Sequence, residues 1–204
     1  MNRIQAQEKL KNSGLLVFTP REFCDVFGIP PKTGSVFISR NLKSGLFVKL
    51  RNSYYMLKDS RPPLNLIANK LYQPSYVSLE SALSHYSIIP EVVYTVTSVT
   101  TKPTREFKTP QGVFSYQRIK KSVFTGYGPV TLEGHVVLLA EPEKALADYL
   151  YFVDLKKASL NDRLNLKKIN KGKLLKFIRI FKRKSLLKKA MDIYVEQGKP
   201  RKIY

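Results

Sequence analysis

Six side chains between positions 32 and 43 could bind nucleic acid. Lys32, Thr33, Ser35, Ser39, Arg40 and Lys43 supply ammonium, guanidinium and hydroxyl donors, with no carboxylate among them. On one face of a helix, such donors suit both kinds of contact that duplex DNA offers. Phosphate oxygens hold a protein in register, and base edges in the major groove carry the sequence. Arg51 and Asn52 lie in a predicted tight turn and would present further donors beside that helix.

The flanking residues predict the elements that would position these groups. Thr19-Pro20-Arg21-Glu22 is a helix start: Thr19 caps, Pro20 suits the first turn, and Glu22 sits where a capping box needs it. A short helix then runs to Phe27, and Gly28 ends it. Pro30 and Pro31 break the chain, and Lys32 to Ser44 reads as a second helix closed by Gly45. It is expected to bury Ile38 and Leu42, four apart, with Phe37 beside them. Leu46–Leu50, the turn Arg51-Asn52-Ser53, and Tyr54–Leu57 read as a two-stranded wing. With a helix near 3–13, residues 1–58 make a winged helix-turn-helix DNA-binding domain.

Charge points the same way. The 204 residues carry a formal net charge of +21. Residues 1–60 hold ten Lys/Arg and four Asp/Glu, residues 61–154 nine and eight, and residues 155–204 seventeen and three. A polyanion is the simplest partner for cations clustered in this way. No apolar run is long enough for a membrane span, and the polar first residues do not resemble a signal peptide. Cys24 is the only cysteine, which rules out a disulfide within the chain and fits a reducing cytoplasm. Inside a predicted helix it reads as a small buried residue.

Asp59-Ser60-Arg61-Pro62-Pro63 reads as a linker. Beyond it, residues 64–154 predict a mixed α/β core. Helices are expected at Leu64–Leu71 and Ser78–Tyr86, the latter capped by Ser78. The β-branched run Val92–Thr101 and the alternating Gly112–Ile119 read as strands. Val130–Leu132 and His135–Leu139 pair across Glu133-Gly134, and Glu141-Pro142-Glu143 opens an amphipathic helix. Residues 155–204 read as a basic helical segment. Its cations Lys173, Lys176, Arg179, Lys182, Arg183, Lys184 and Lys188 form a candidate patch for phosphate or another partner. The expected fold is α+β: the winged helix, then a 64–204 domain with a mostly antiparallel sheet and a basic helical C-terminus.

Little points to catalysis. His85 and His135 stand 50 residues apart with one cysteine, which is no metal-ligand pattern. No Walker A loop, G-x-S-x-G elbow or G-x-G-x-x-G occurs. Glu91, with Glu106-Phe107-Lys108 further on, imitates the acidic spacing of metal-dependent nucleases, in which paired carboxylates hold Mg²⁺ and a lysine orients water. That pattern is short, and surface strands produce it easily. No cofactor and no catalytic residue is expected. A nuclease with a targeting domain, and an RNA-binding protein favoured by charge alone, are the alternatives.

The middle segment carries a resemblance. Pro74-Ser75-Tyr76-Val77-Ser78-Leu79-Glu80-Ser81-Ala82-Leu83-Ser84-His85-Tyr86 with Ile89-Pro90-Glu91, then Thr100-Thr101-Lys102-Pro103, Thr109-Pro110-Gln111-Gly112 with Tyr116, and Ala140-Glu141-Pro142-Glu143-Lys144-Ala145-Leu146-Ala147-Asp148, are similar in order and spacing to the AbiEi antitoxin family of bacterial type IV toxin–antitoxin systems. With the winged helix, the resemblance covers about residues 15 to 195. It implies a phage-defence antitoxin that represses its own operon at inverted repeats. It also implies an antitoxin that counteracts a co-encoded nucleotidyltransferase-like toxin, AbiEii, without needing a stable complex. The family offers no catalytic residues to carry over. Most Leu, Ala and Tyr positions of these motifs read as core, whereas Glu80, Lys102, Glu141 and Glu143 read as exposed.

Overall fold

Helix α1 (Arg3–Asn12) starts at Asn2, whose side chain accepts the Gln5 N–H. The computed structural model describes residues 2–197. After strand β1 (Val17–Phe18), the Thr19 capping box forms: Thr19 Oγ1 accepts the Glu22 N–H at 3.3 Å, and Glu22 Oε2 accepts the Thr19 N–H at 2.8 Å. Helix α2 (Pro20–Phe27) therefore begins where the residue types require. It ends at Gly28, whose φ of 63° favours a residue without a β-carbon. Helix α3 (Pro31–Lys43) follows after two residues, and β2 (Phe47–Arg51) and β3 (Tyr54–Leu57) complete an antiparallel sheet in the order β1-β3-β2.

Leu10, Phe18, Phe23, Ile38, Phe47 and Leu57 form the core of this unit. Cys24 is buried, as expected. The α2–α3 contact is so close that a β-carbon at Gly34 would stand 2.3 Å from Cys24 Sγ. One expectation for α3 is corrected. Leu42 is only half-buried, and Asn41 is the buried residue there, its Nδ2 donating to the Phe37 carbonyl at 2.8 Å. That bond satisfies the amide of a polar side chain inside the core, while Leu42 packs against the core from its edge.

The rest of the chain contributes α4 (Leu64–Leu71), β4 (Ser75–Val77), α5 (Leu79–His85), β5 (Thr95–Thr100), β6 (Arg105–Thr109), β7 (Gly112–Arg118), β8 (Tyr127–Leu132), β9 (His135–Ala140), α6 (Pro142–Asp154), α7 (Lys171–Ile180) and α8 (Lys184–Gln197). The six strands make one sheet in the order β6-β7-β5-β4-β9-β8. The sheet is mixed: β4–β5, β6–β7 and β8–β9 pair antiparallel, as expected for most of the sheet, whereas β5 runs parallel to β7 and β4 parallel to β9. The β5–β7 pairing is parallel because the β6–β7 hairpin folds back so that its second strand, not its first, joins β5. Strand β5 starts at Thr95, the first residue with a partner, whereas Val92 and Tyr94 stand 76% and 86% exposed. β-branched composition marks what a strand tolerates, not where pairing begins. The β8–β9 turn is as expected: Glu133 and Gly134 both have positive φ, the signature of a tight two-residue hairpin.

Helix α6 is buried from Glu143 through Leu150, and α7 and α8 pack on it. The segment read as a linker crosses a packed seam. Pro62 and Pro63 are buried, and Val17, Leu50 and Met56 of the first unit join the core of the second. Across the same seam Lys70 of α4 pairs with Glu22 of α2. Among the described residues no helix is long and apolar enough to cross a membrane.

Candidate nucleic-acid interface

Helix α3 presents its donors outward. Lys32, Thr33, Ser35, Ser39, Arg40 and Lys43 are all exposed. At 3.6 residues per turn, Lys32, Val36, Ser39 and Lys43 fall within about 60° of one another around the axis. Thr33 and Arg40 flank them on one side and Ser35 on the other. None of the ion pairs formed among the described residues involves Lys32, Arg40 or Lys43. These cations are therefore free for a polyanion.

Two elements hold the face in place. Gly28 ends α2 so that α3 can cross it, and the Gly34–Cys24 contact fixes how close the two lie. On the other side, β2 and β3 form a hairpin whose turn keeps Asn52 exposed. Arg51 does something else. Its Nε donates to the Leu71 carbonyl at 2.9 Å, and its guanidinium lies 4.3 Å from the Tyr54 ring centre and 4.8 Å from that of Phe107. Expected as a DNA contact, Arg51 instead joins the hairpin to α4 and β6, because a planar cation gains more between two rings than in water.

The basic C-terminal patch is also divided. Lys173 pairs with Glu141 at 2.6 Å and Glu143 at 3.6 Å, which raises its pKa. Glu143 is buried, not exposed as read from the sequence, and accepts the Asn170 N–H at 3.0 Å. Arg183 donates to Asp154 at 2.6 Å, and Ser185 donates to the same oxygen at 3.0 Å. Those two cations hold α7 and α8 onto α6. Lys176, Arg179, Lys182, Lys184 and Lys188 remain exposed. Residues 198–204, with Lys199, Arg201 and Lys202, lie outside the described residues.

The nuclease pattern does not assemble. Glu106 lies opposite Ser115, which lies opposite Thr97, so two strand spacings, roughly 10 Å, separate it from β5. Glu91 lies four residues before that strand and is held by Arg163 and by Asn161 Nδ2 at 2.9 Å. Desolvation works to raise its carboxyl, but its hydrogen bonds and the Arg163 charge together outweigh that and leave its pKa lowered. Among the described residues no three His, Cys, Asp or Glu side chains gather.

One polar cluster has no counterpart in the sequence reading. Lys144 and Asp148, one turn apart on α6, are both fully buried and ion-paired. Asp148 Oδ2 also accepts Tyr76 Oη and Ser78 Oγ, each at 2.9 Å. Ser78 therefore does not cap α5 with its side chain, contrary to expectation. Burial pushes the Asp148 carboxyl up, against the pull of Lys144, Ser78 and Tyr76. Burial, together with Asp148, also raises the Tyr76 phenol. The next residue, Leu79, has φ 55°, which costs an L-residue about 1–2 kcal/mol, and the Ser78 anchor holds that corner. With no exposed atom to meet a ligand, the cluster ties β4 and α5 to α6. The spacing of Lys144 and Asp148, four apart on a helix, was the one signal that could have revealed the pair.

No protein-family model matches the chain, and no curated protein matches it.

Proposed function

We propose that this protein binds duplex DNA in a sequence-specific manner, as a winged helix-turn-helix repressor. The reading rests on one observation: α3 carries an exposed face of hydroxyls and unpaired cations with no carboxylate, next to the β2–β3 hairpin. That is the chemistry a helix needs to lie in a major groove. The resemblance to AbiEi extends the proposal. The chain would be a type IV antitoxin that represses its own operon at inverted repeats and counteracts a nucleotidyltransferase-like toxin. Lys176, Arg179, Lys182, Lys184 and Lys188 would add sequence-independent affinity for phosphate.

The test is a gel-shift titration of the full chain on the duplex upstream of its own gene, with an unrelated duplex and a folded RNA as controls. Preference for the upstream duplex, reduced in Arg40→Ala, is the expected result. Equal affinity for all three nucleic acids would sink the proposal and favour general RNA or DNA binding. Rescue of cells co-expressing the neighbouring nucleotidyltransferase-like toxin tests the antitoxin part separately.

A further inference from the structure

Val36 is the one large apolar side chain exposed on the polar face of α3, at 44%. By helical geometry it lies near the middle of that face, between Lys32 and Arg40. A branched hydrocarbon in the centre of a solvated cationic face contributes nothing to the core, because Ile38 and Gly34 fill the buried side. It borders an open cavity of about 490 Å³ that Ile29, Phe37, the methyl-bearing Thr33, Lys32 and Arg40 also line. We infer that Val36 reads the C5-methyl group of a thymine in the DNA site, an inference that rests on the duplex-DNA reading above.

The chemistry is specific. In the major groove thymine alone of the four bases carries a methyl group, and an apolar side chain distinguishes it by contact. The cations around the cavity match the negative charge of DNA, and α3 itself has no carboxylate to repel it. Val36 lies in the first two turns of α3, the part of a recognition helix that meets base edges. Arg40, one turn further on, is placed to donate to a neighbouring guanine or phosphate.

The experiment uses the full chain and a duplex enriched by it from a random-sequence pool. Each thymine of that duplex is replaced in turn by deoxyuridine, which removes only the methyl group. The wild type should lose about fourfold in affinity at one thymine per half-site, the worth of one methyl removed from water. Val36→Ala should lose a similar factor on the thymine duplex and be indifferent to deoxyuridine there. Its melting temperature should stay that of the wild type, because the residue is exposed. If no deoxyuridine position weakens the wild type, or if Val36→Ala still responds to the same position, the assignment is wrong. If Arg40→Ala binds like the wild type, or the pool yields no enriched sequence, the DNA reading fails and takes this inference with it. Dependence on Arg40 without methyl coupling overturns the role of Val36 alone.

Discussion

Helix α3 leaves its cations in water without a carboxylate partner, whereas α6 takes Lys144 wholly out of water and surrounds it with Asp148 and the Tyr76 and Phe181 rings. Both helices are 13 residues long and both begin at a proline. The difference lies in what each lysine would lose on truncation. An exposed cation costs the fold almost nothing to remove, and its energy is realised only when an anion arrives. A buried cation has spent its hydration, so removing either partner leaves an uncompensated charge in a low dielectric. Positive charge in this chain therefore has two separable uses, and stability and binding measurements should tell them apart.

The sharpest break of that contrast is Lys144→Ala. It should cost about 3–5 kcal/mol in chemical denaturation, because Asp148 is left buried without its ion partner. Lys144→Met with Asp148→Leu should cost less than either single change, although the Tyr76 and Ser78 hydroxyls then lose an acceptor. A loss under about 0.5 kcal/mol in Lys144→Ala, the range of ordinary surface changes, would mean that the pair is hydrated in solution, and the comparison would fail.

The α2–α3 contact ranks next. Gly34→Ala should destabilise the protein by about 1–3 kcal/mol, since the new methyl would meet Cys24 Sγ at 2.3 Å. Pairing it with Cys24→Ala should recover part of the loss by vacating the sulfur position. A neutral Gly34→Ala would show that the two helices have room to separate, and the placement of the α3 face would rest on the hairpin alone.

Arg40→Ala inverts that pattern. Its stability should stay within about 0.5 kcal/mol of the wild type, while affinity for the preferred duplex drops by about 1–3 kcal/mol if Arg40 reads a guanine. A large loss of stability would place Arg40 with Lys144 rather than opposite it.

Local signals carried the reading of the first unit. The Thr19 cap, Gly28 and the exposed residues of α3 are determined by neighbours within a few positions, so their types alone announce them. Failures came where a partner distant in sequence decides. Arg51 has the side chain of a DNA contact, but Leu71 and Phe107 claim it. Lys144 and Asp148 look like a solvated helical pair until β4 brings Tyr76 and Ser78 onto them. Asn69 gives no sign in the sequence that its side chain substitutes for a strand, accepting the Leu138 N–H at 2.6 Å and donating to the Leu138 carbonyl at 3.1 Å. The prolines at 62 and 63 read as a spacer because their burial depends on a seam that only the folded chain creates.

Glu22 stands between the two kinds of charge and provides the smallest effect. It caps α2 locally and reaches Lys70 across the seam. Partial burial works to raise its carboxyl, but the Lys70 ammonium and the Thr19 N–H and hydroxyl outweigh that and leave its pKa lowered. A carboxyl whose folded pKa lies below its unfolded value contributes stability that is present above the unfolded value, about 4.3 for glutamate, and is lost as pH falls through the folded one. The group is one-third exposed, so solvent screens the ion pair and its share is small. Glu22→Gln keeps a capping-box side chain but loses the charge, and should cost about 0.5–1 kcal/mol at pH 7. The difference between variant and wild type should shrink as the pH is lowered below about 4.3. Lys70→Met should show the same convergence on acidification if the seam pair is its source. A Glu22→Gln deficit that persists undiminished in acid would assign the residue to packing alone, and would leave the shared apolar core and Arg51 as the bonds between the two units.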